Sequence, residues 1–176
     1  QLQENLNLLN NMDVVASTSI EKGMENWSKQ DIVDWAVKQL ESTGFEVERK
    51  GFGKIRFGKK QIKQSMSYMS IGDMETYVHS LMPEVLKHGV EIESRENHKG
   101  REYGTKTFAA PVEIDGQRGN MAVVVKKTTD NFYKVHRIVT PDGKVLKFEQ
   151  TNKTVPPNDG GVTDNSSLAT STSTVS

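Results

Sequence analysis

The chain of 176 residues contains no cysteine, which excludes disulfides, thiolate metal sites and thiol nucleophiles together. Lack of cysteine suits any compartment, with a lean toward a reducing one because the fold needs no covalent staple. Net charge is missing too. Lys plus Arg number 23 and Asp plus Glu number 23, so the total charge points to no acidic or basic partner. Only the local distribution of charge can do that. No apolar run approaches the roughly 20 residues of a membrane span, and no membrane partner is expected. No signal peptide is visible, and the start at Gln1 reads as a cut from something longer.

Several enzyme signatures are absent as well. There is no phosphate loop of the Walker type, no dinucleotide fingerprint and no GxSxG elbow. The four histidines, His79, His88, His98 and His136, include neither an HExxH nor a close pair. No metal and no cofactor are expected.

What is present suits one α+β domain: N-terminal helices packed on an antiparallel β-meander of about four strands, with disordered termini. Residues 1–26 are rich in Asn, Gln, Ser and Thr, with Leu2, Leu6 and Leu9 on one side of a weak helix, and read as a linker or docking arm. The domain itself spans 27–150. Ser28-x-x-Asp31 resembles a capping box, and Ile32, Val33, Ala36, Val37 and Leu40 share the face of the helix that follows. Two short β-prone pieces, Phe45–Val47 and Ile55–Phe57, are broken by Gly51 and Gly53.

The best helical stripe runs from Met74 through Tyr77, Val78, Leu81, Met82 and Val85 to Leu86, with Asp73 as its N-cap. Pro83 interrupts it and predicts a kink or two abutting helices. Gly89 ends it. Phe108, Ala110, Val112 and Ile114 then alternate with more polar neighbours as a half-buried strand does. Asp115-Gly116 supplies turn chemistry, Met121 to Val125 forms a second strand, and Phe132 to Val139 a third. Pro141-Asp142-Gly143 marks a turn into a fourth, Lys144 to Phe148. Residues 151–176 are too polar to bury a core and read as a disordered Ser/Thr-rich tail.

Chemistry gathers in two places. Arg49, Lys50, Lys54, Arg56, Lys59, Lys60 and Lys63 occur with no acidic residue between Arg49 and Lys63. That run is either a solvated loop or a phosphate-tracking surface; Phe52 and Phe57 within it can stack bases or fill the core. The second place is the string Tyr133-Lys134-Val135-His136-Arg137. Strict alternation puts His136 with Lys134 and Ile138, and Tyr133 with Val135, Arg137 and Val139, on opposite faces. Not all of this cluster can line one cleft unless a bulge or the sheet's edge re-aims a side chain.

Cleavage of RNA needs a base for the 2′-OH, an acid for the leaving 5′ oxygen, and cations on the phosphorane. His136 can serve as base or acid near pH 7 without metal or thiol. Arg56, Lys63, Lys126 and Arg137, with His98 and Arg101 from the polar stretch 93–104, are candidates to hold the substrate.

From Gly53-Lys54-Ile55-Arg56-Phe57 to Gln64-Ser65-Met66-Ser67-Tyr68, through the helix Met74 to His88, and from Thr107-Phe108 to Arg137-Ile138, the chain resembles the BECR-fold ribonuclease toxins. That group unites barnase, EndoU, colicin and RelE-like domains. More narrowly, it is similar to members found at the C-terminus of large phage or prophage head proteins of the MuF type. The resemblance covers about 45–148 and rests on order and texture. It implies functional groups at Lys60, Lys63 and Ser65 on the helix, and at Thr107, Lys126, Tyr133 and His136 on the sheet.

It implies a metal-independent ribonuclease toxin acting on cellular RNA, such as transfer RNA, in the bacterial cytoplasm. Such a toxin would be carried in a phage particle or secreted, with an immunity protein as a further partner. The competing expectation is a phage-particle module that binds nucleic acid or protein without cutting it. An ADP-ribosyl transferase would need a Ser-Thr-Ser-like strand and a catalytic Glu that the core does not assemble.

Overall fold

The computed structural model describes residues 1–66, 74–96, 104–128, 132–144 and 146. Asp73, His98, Arg101, most of the expected fourth strand and the tail 151–176 lie outside these residues. The α+β expectation holds, with helices on a curled sheet. That sheet has seven strands where about four were expected, and it is mixed. The strands are β1 (Ala16–Thr18), β2 (Glu46–Arg49), β3 (Gly53–Arg56), β4 (Val90–Arg95), β5 (Thr105–Ile114), β6 (Gln117–Lys127) and β7 (Tyr133–Val139). Their order is β1-β5-β6-β7-β3-β2, and β4 also pairs with β5.

Antiparallel β5, β6 and β7 are three strands of the expected meander, and β4, which was not expected in it, pairs antiparallel with the far edge of β5. The two additions that make the sheet mixed are parallel: β1 on β5, and β3 on β7. The outer edge of β5 is shared end to end, by β4 opposite Thr105–Ala109 and by β1 opposite Val112–Ile114. Pro111 stands at the join. Its carbonyl accepts from Val15 N at 3.0 Å, so its missing N–H falls on that same outer edge, between the two partners. Asp115 (φ 52°) and Gly116 (φ 79°) close β5–β6, both left-handed, as a two-residue hairpin turn requires.

The helices are α1 (Leu2–Asn10), α2 (Lys29–Glu41), α3 (Lys59–Met66) and α4 (Met82–His88), with 3-10 turns at Met24–Asn26 and Met74–Leu81. Ser28 and Asp31 form the expected capping box: Asp31 N donates to Ser28 Oγ at 3.2 Å, and Ser28 N to Asp31 Oδ2 at 3.0 Å. Pro83 does divide the long stripe into two abutting helices, because a proline is tolerated in a first turn and not in a helix interior.

One face of the sheet carries the main core. Phe108, Ala110, Val112, Met121, Val123 and Val125 pack with Ile32, Ala36, Leu40, Val78, Val85 and Leu86 from the helical layer. The other face carries a smaller cluster. There Leu9 of α1, fully buried, covers Ala109, Ala122, Val124 and Val139. Residues 2–12 are thus packed on this face. Arg118 holds them by donating to the carbonyls of Leu9 at 2.9 Å and Met12 at 2.6 Å, closing the end of α1. For the same reason β5 is buried on both faces through its centre, where the alternation alone implied one.

Candidate functional site

β6 and β7 do not pair evenly. Val124 faces Arg137, but Val125 faces Val135, so His136 is one extra residue with no partner on β6. This is a β-bulge, which bends its strand and re-aims side chains. Tyr133, Val135 and Ile138 belong to the main core face, while Val139 belongs to the α1 face. Strict alternation across 133–139 is therefore corrected at His136: Ile138 joins Tyr133, and Arg137 leaves it.

A second irregularity matches the first. On β4, Glu91 faces Phe108 and Glu93 faces Thr107, leaving Ile92 as the extra residue. Between the bulges Glu93, Thr107, Val124 and Arg137 form one row across four strands. The side chain of Gln61 on α3 supports β7 at this point. Its amide nitrogen donates to the carbonyl of Val135, and its oxygen accepts from Gly58 N at 2.8 Å.

The result is an open groove of about 680 Å³ on the α1 face. Thr107, Lys126, His136 and Arg137 line its sheet side, joined by Arg95; Gln1, Leu2 and Asn5 of the N-terminal arm form one wall and residues 139–143 the other. Its carboxylates are matched. Glu93 holds Arg95 at 3.1 Å, and Asp142 pairs with Lys144 at 3.7 Å. A hydrogen bond from the Thr140 hydroxyl keeps the Asp142 carboxyl below its ordinary value. Among the described residues no carboxylate lies within ion-pair distance of Lys126, His136 or Arg137, so the centre of the groove is positive. Partial burial, with the charges of Arg137 and Lys126, pushes the His136 imidazole below its ordinary value of 6.5. A neutral imidazole beside two cations is thus the resting state near pH 7.

Of the expected site residues, then, Thr107, Lys126, His136 and Arg137 converge. Tyr133 does not join them: it faces the main core, its ring 4.4 Å from that of Phe52. Lys60 and Lys63 are exposed on α3, whose inner face is given to Ile62 and Gln61, and neither lines the groove. Ser65 lies on the same helix, with its side chain outside the described residues. His98 and Arg101 also lie outside them.

The basic run does not form one surface. Arg49 turns inward, donating to Leu86 O at 2.9 Å and lying 4.1 Å from the Phe108 ring centre. Lys54 and Arg56 both pair with Glu46, at 3.7 and 3.5 Å. Phe57 is buried, and Phe52 packs edge-on to Phe108, so both are core residues. A hairpin separates neighbours in sequence onto different faces, which a count of charges cannot show. Arg95 was missed as a groove residue. Its signal was positional: two residues from Glu93 on one strand, it shares that face.

Among the described residues no group of three or more His, Asp or Glu side chains is placed to hold a metal ion. No described helix is long and apolar enough to cross a membrane. Fold and groove together define a small α+β domain with a basic, histidine-bearing cleft on its sheet. Residues 24–134 match the model of large polyvalent protein-associated domain 3, and the chain belongs to that family. The expected carrier is met in this coarser form, a domain associated with large polyvalent proteins. Compared with curated proteins and with solved structures, the chain shows no significant match.

Proposed function

We propose that this domain is a metal-independent endoribonuclease working at the groove around His136. One observation carries the reading: the bulge that leaves His136 unpaired sets it beside Arg137, Lys126 and Thr107 in a cleft whose central cations have no carboxylate among the described residues. In this reading the neutral His136 imidazole takes the proton of a ribose 2′-OH. The 2′ oxygen bonds to the adjacent phosphorus, the bond from phosphorus to the 5′ oxygen breaks, and a 2′,3′-cyclic phosphate forms. Arg137 and Lys126 stabilise the charge on the phosphorane, and the Thr107 hydroxyl orients a phosphate oxygen. The leaving 5′ oxygen takes a proton from a second group, and the Lys126 ammonium lines the same groove.

Cellular RNA, transfer RNA included, is the proposed substrate, and the domain acts as a toxin with a cognate immunity protein. A second reading has its own support. His136 is the one imidazole of the groove among the described residues, and the same cations would bind nucleic acid without cutting it. The test is incubation of the folded chain with transfer RNA and total RNA, with and without EDTA. Cleavage to cyclic-phosphate ends that survives EDTA is expected. Intact RNA, bound in a salt-dependent way by folded protein, would overturn the ribonuclease and leave the binding module.

A further inference from the structure

Lys126 and Lys134 are direct cross-strand partners on β6 and β7. Like charges set opposite each other destabilise an antiparallel pair. Among the described residues no carboxylate lies within ion-pair distance of either lysine, so nothing in the described fold offsets that cost. The register extends the pair in both directions: Lys126 faces Thr105, Thr105 faces Arg95, and Lys134 faces Arg56. A basic row therefore crosses five strands at right angles to them. At the usual strand spacing of about 4.8 Å it is about 19 Å long. Its ends are tied down, Arg95 to Glu93 and Arg56 to Glu46, with the Arg56 guanidinium 3.7 Å from the centre of the Phe132 ring. The two central lysines remain for a ligand.

Both lysines also line a second recess of about 250 Å³, with Gln61, Lys127, Thr128, Val135 and His136 and no carboxylate. It shares Lys126 and His136 with the main groove, and Thr128 closes the hairpin there, its N–H donating to Phe132 O at 2.7 Å. The two recesses meet at the bulged histidine.

We propose that this second recess is the subsite for the phosphate next to the one held at His136. A single-stranded nucleic acid then runs from the groove past His136 into the recess, one phosphate at Lys126 and Arg137 and the next at Lys127 and Lys134. The proposal rests on the groove holding RNA, but it requires binding and not cleavage. A strand joining the two recesses must bend over one side chain, which an unstacked strand does freely and a stacked duplex resists.

The test uses the whole chain and a labelled 2′-O-methyl oligouridylate of about 12 nucleotides, which has no 2′-OH to react. Affinity is measured by anisotropy from about 50 to 200 mM salt. Lys127→Gln with Lys134→Gln lowers the slope of log K against log salt by about 0.7–1.4, one or two phosphate contacts. Lys127→Arg with Lys134→Arg keeps the slope. Lys22→Gln with Lys38→Gln, which removes the same charge from exposed sites elsewhere, leaves it unchanged. A matched duplex binds more weakly.

An unchanged slope in the first variant, or an equal fall in the Lys22 and Lys38 control, overturns the subsite. Competition by polyglutamate as strong as by the oligonucleotide would also overturn it, in favour of an acidic protein surface. Cleavage of ordinary RNA by the wild type is measured alongside. A slope change without cleavage refutes the ribonuclease and keeps the subsite, and cleavage without a slope change does the reverse.

Discussion

His136 and Arg137 are consecutive residues of one strand, yet both line the same groove. A regular strand sends neighbours to opposite faces. The unpaired position of His136 opposite the Val124–Val125 step is what breaks that rule. It costs a ladder position and places an imidazole beside a guanidinium.

That neighbour determines the pH dependence of the proposed reaction. Arg137 and Lys126, after the larger effect of burial, hold His136 below 6.5. The base form therefore persists into mildly acid solution, and cleavage rises with pH along a limb centred below 6.5. His136→Ala lowers the rate by about 10²–10⁴-fold, the range for a lost general base. Initial rates on transfer RNA between about pH 5 and 8 check both statements. An unchanged rate in His136→Ala would remove His136 from the chemistry.

Stability carries the same signature with a definite sign. Between the lowered folded value and the ordinary value near 6.5, the unfolded chain binds more protons than the native one. Stability from this group is thus present above 6.5 and is lost as pH falls through that window. Urea midpoints measured from about pH 7.5 to 5 should decline less in His136→Gln than in the wild type.

Docking of α1 rests on Leu9. Leu9→Ala removes the fully buried side chain that covers Ala109, Ala122 and Val124, and costs about 2–3 kcal/mol unless α1 detaches first. Hydrogen exchange separates the two outcomes. Detachment raises exchange in residues 2–12 while β5 and β6 stay protected.

Gly89 is required by contact and not by conformation. Its φ of −69° suits any residue, but a Cβ there would lie 2.5 Å from Val85 O and 2.8 Å from Ala109 O. Both are backbone atoms and neither can rotate away. Gly89→Ala is expected to destabilise by about 1–3 kcal/mol, read from denaturant midpoints.

Much of this fold was legible in the chain. The Ser28 capping box, the proline-divided stripe ending at Leu86, and the Asp115-Gly116 turn are short-range devices, and each formed where its residues stand. The inward face of β5 followed from period-2 patterning, because burial on one face leaves its mark in every second residue, while β6 showed only as the apolar run Met121 to Val125. Charge was less legible. Arg49 to Lys63 looked like one basic surface, but the β2–β3 hairpin turns Arg49 inward and gives Lys54 and Arg56 to Glu46.

By itself, then, the sequence determined the caps and turns, the three long strands, the absence of thiol chemistry and the residue types from which a site could be made. Tertiary structure alone decided which of them meet. Patterning is a property of one strand, whereas a bulge is a mismatch between two, so the position of His136 depends on how β7 pairs with β6. The row from Arg95 through Thr105, Lys126 and Lys134 to Arg56 likewise crosses five strands, through pairing registers that no single segment contains.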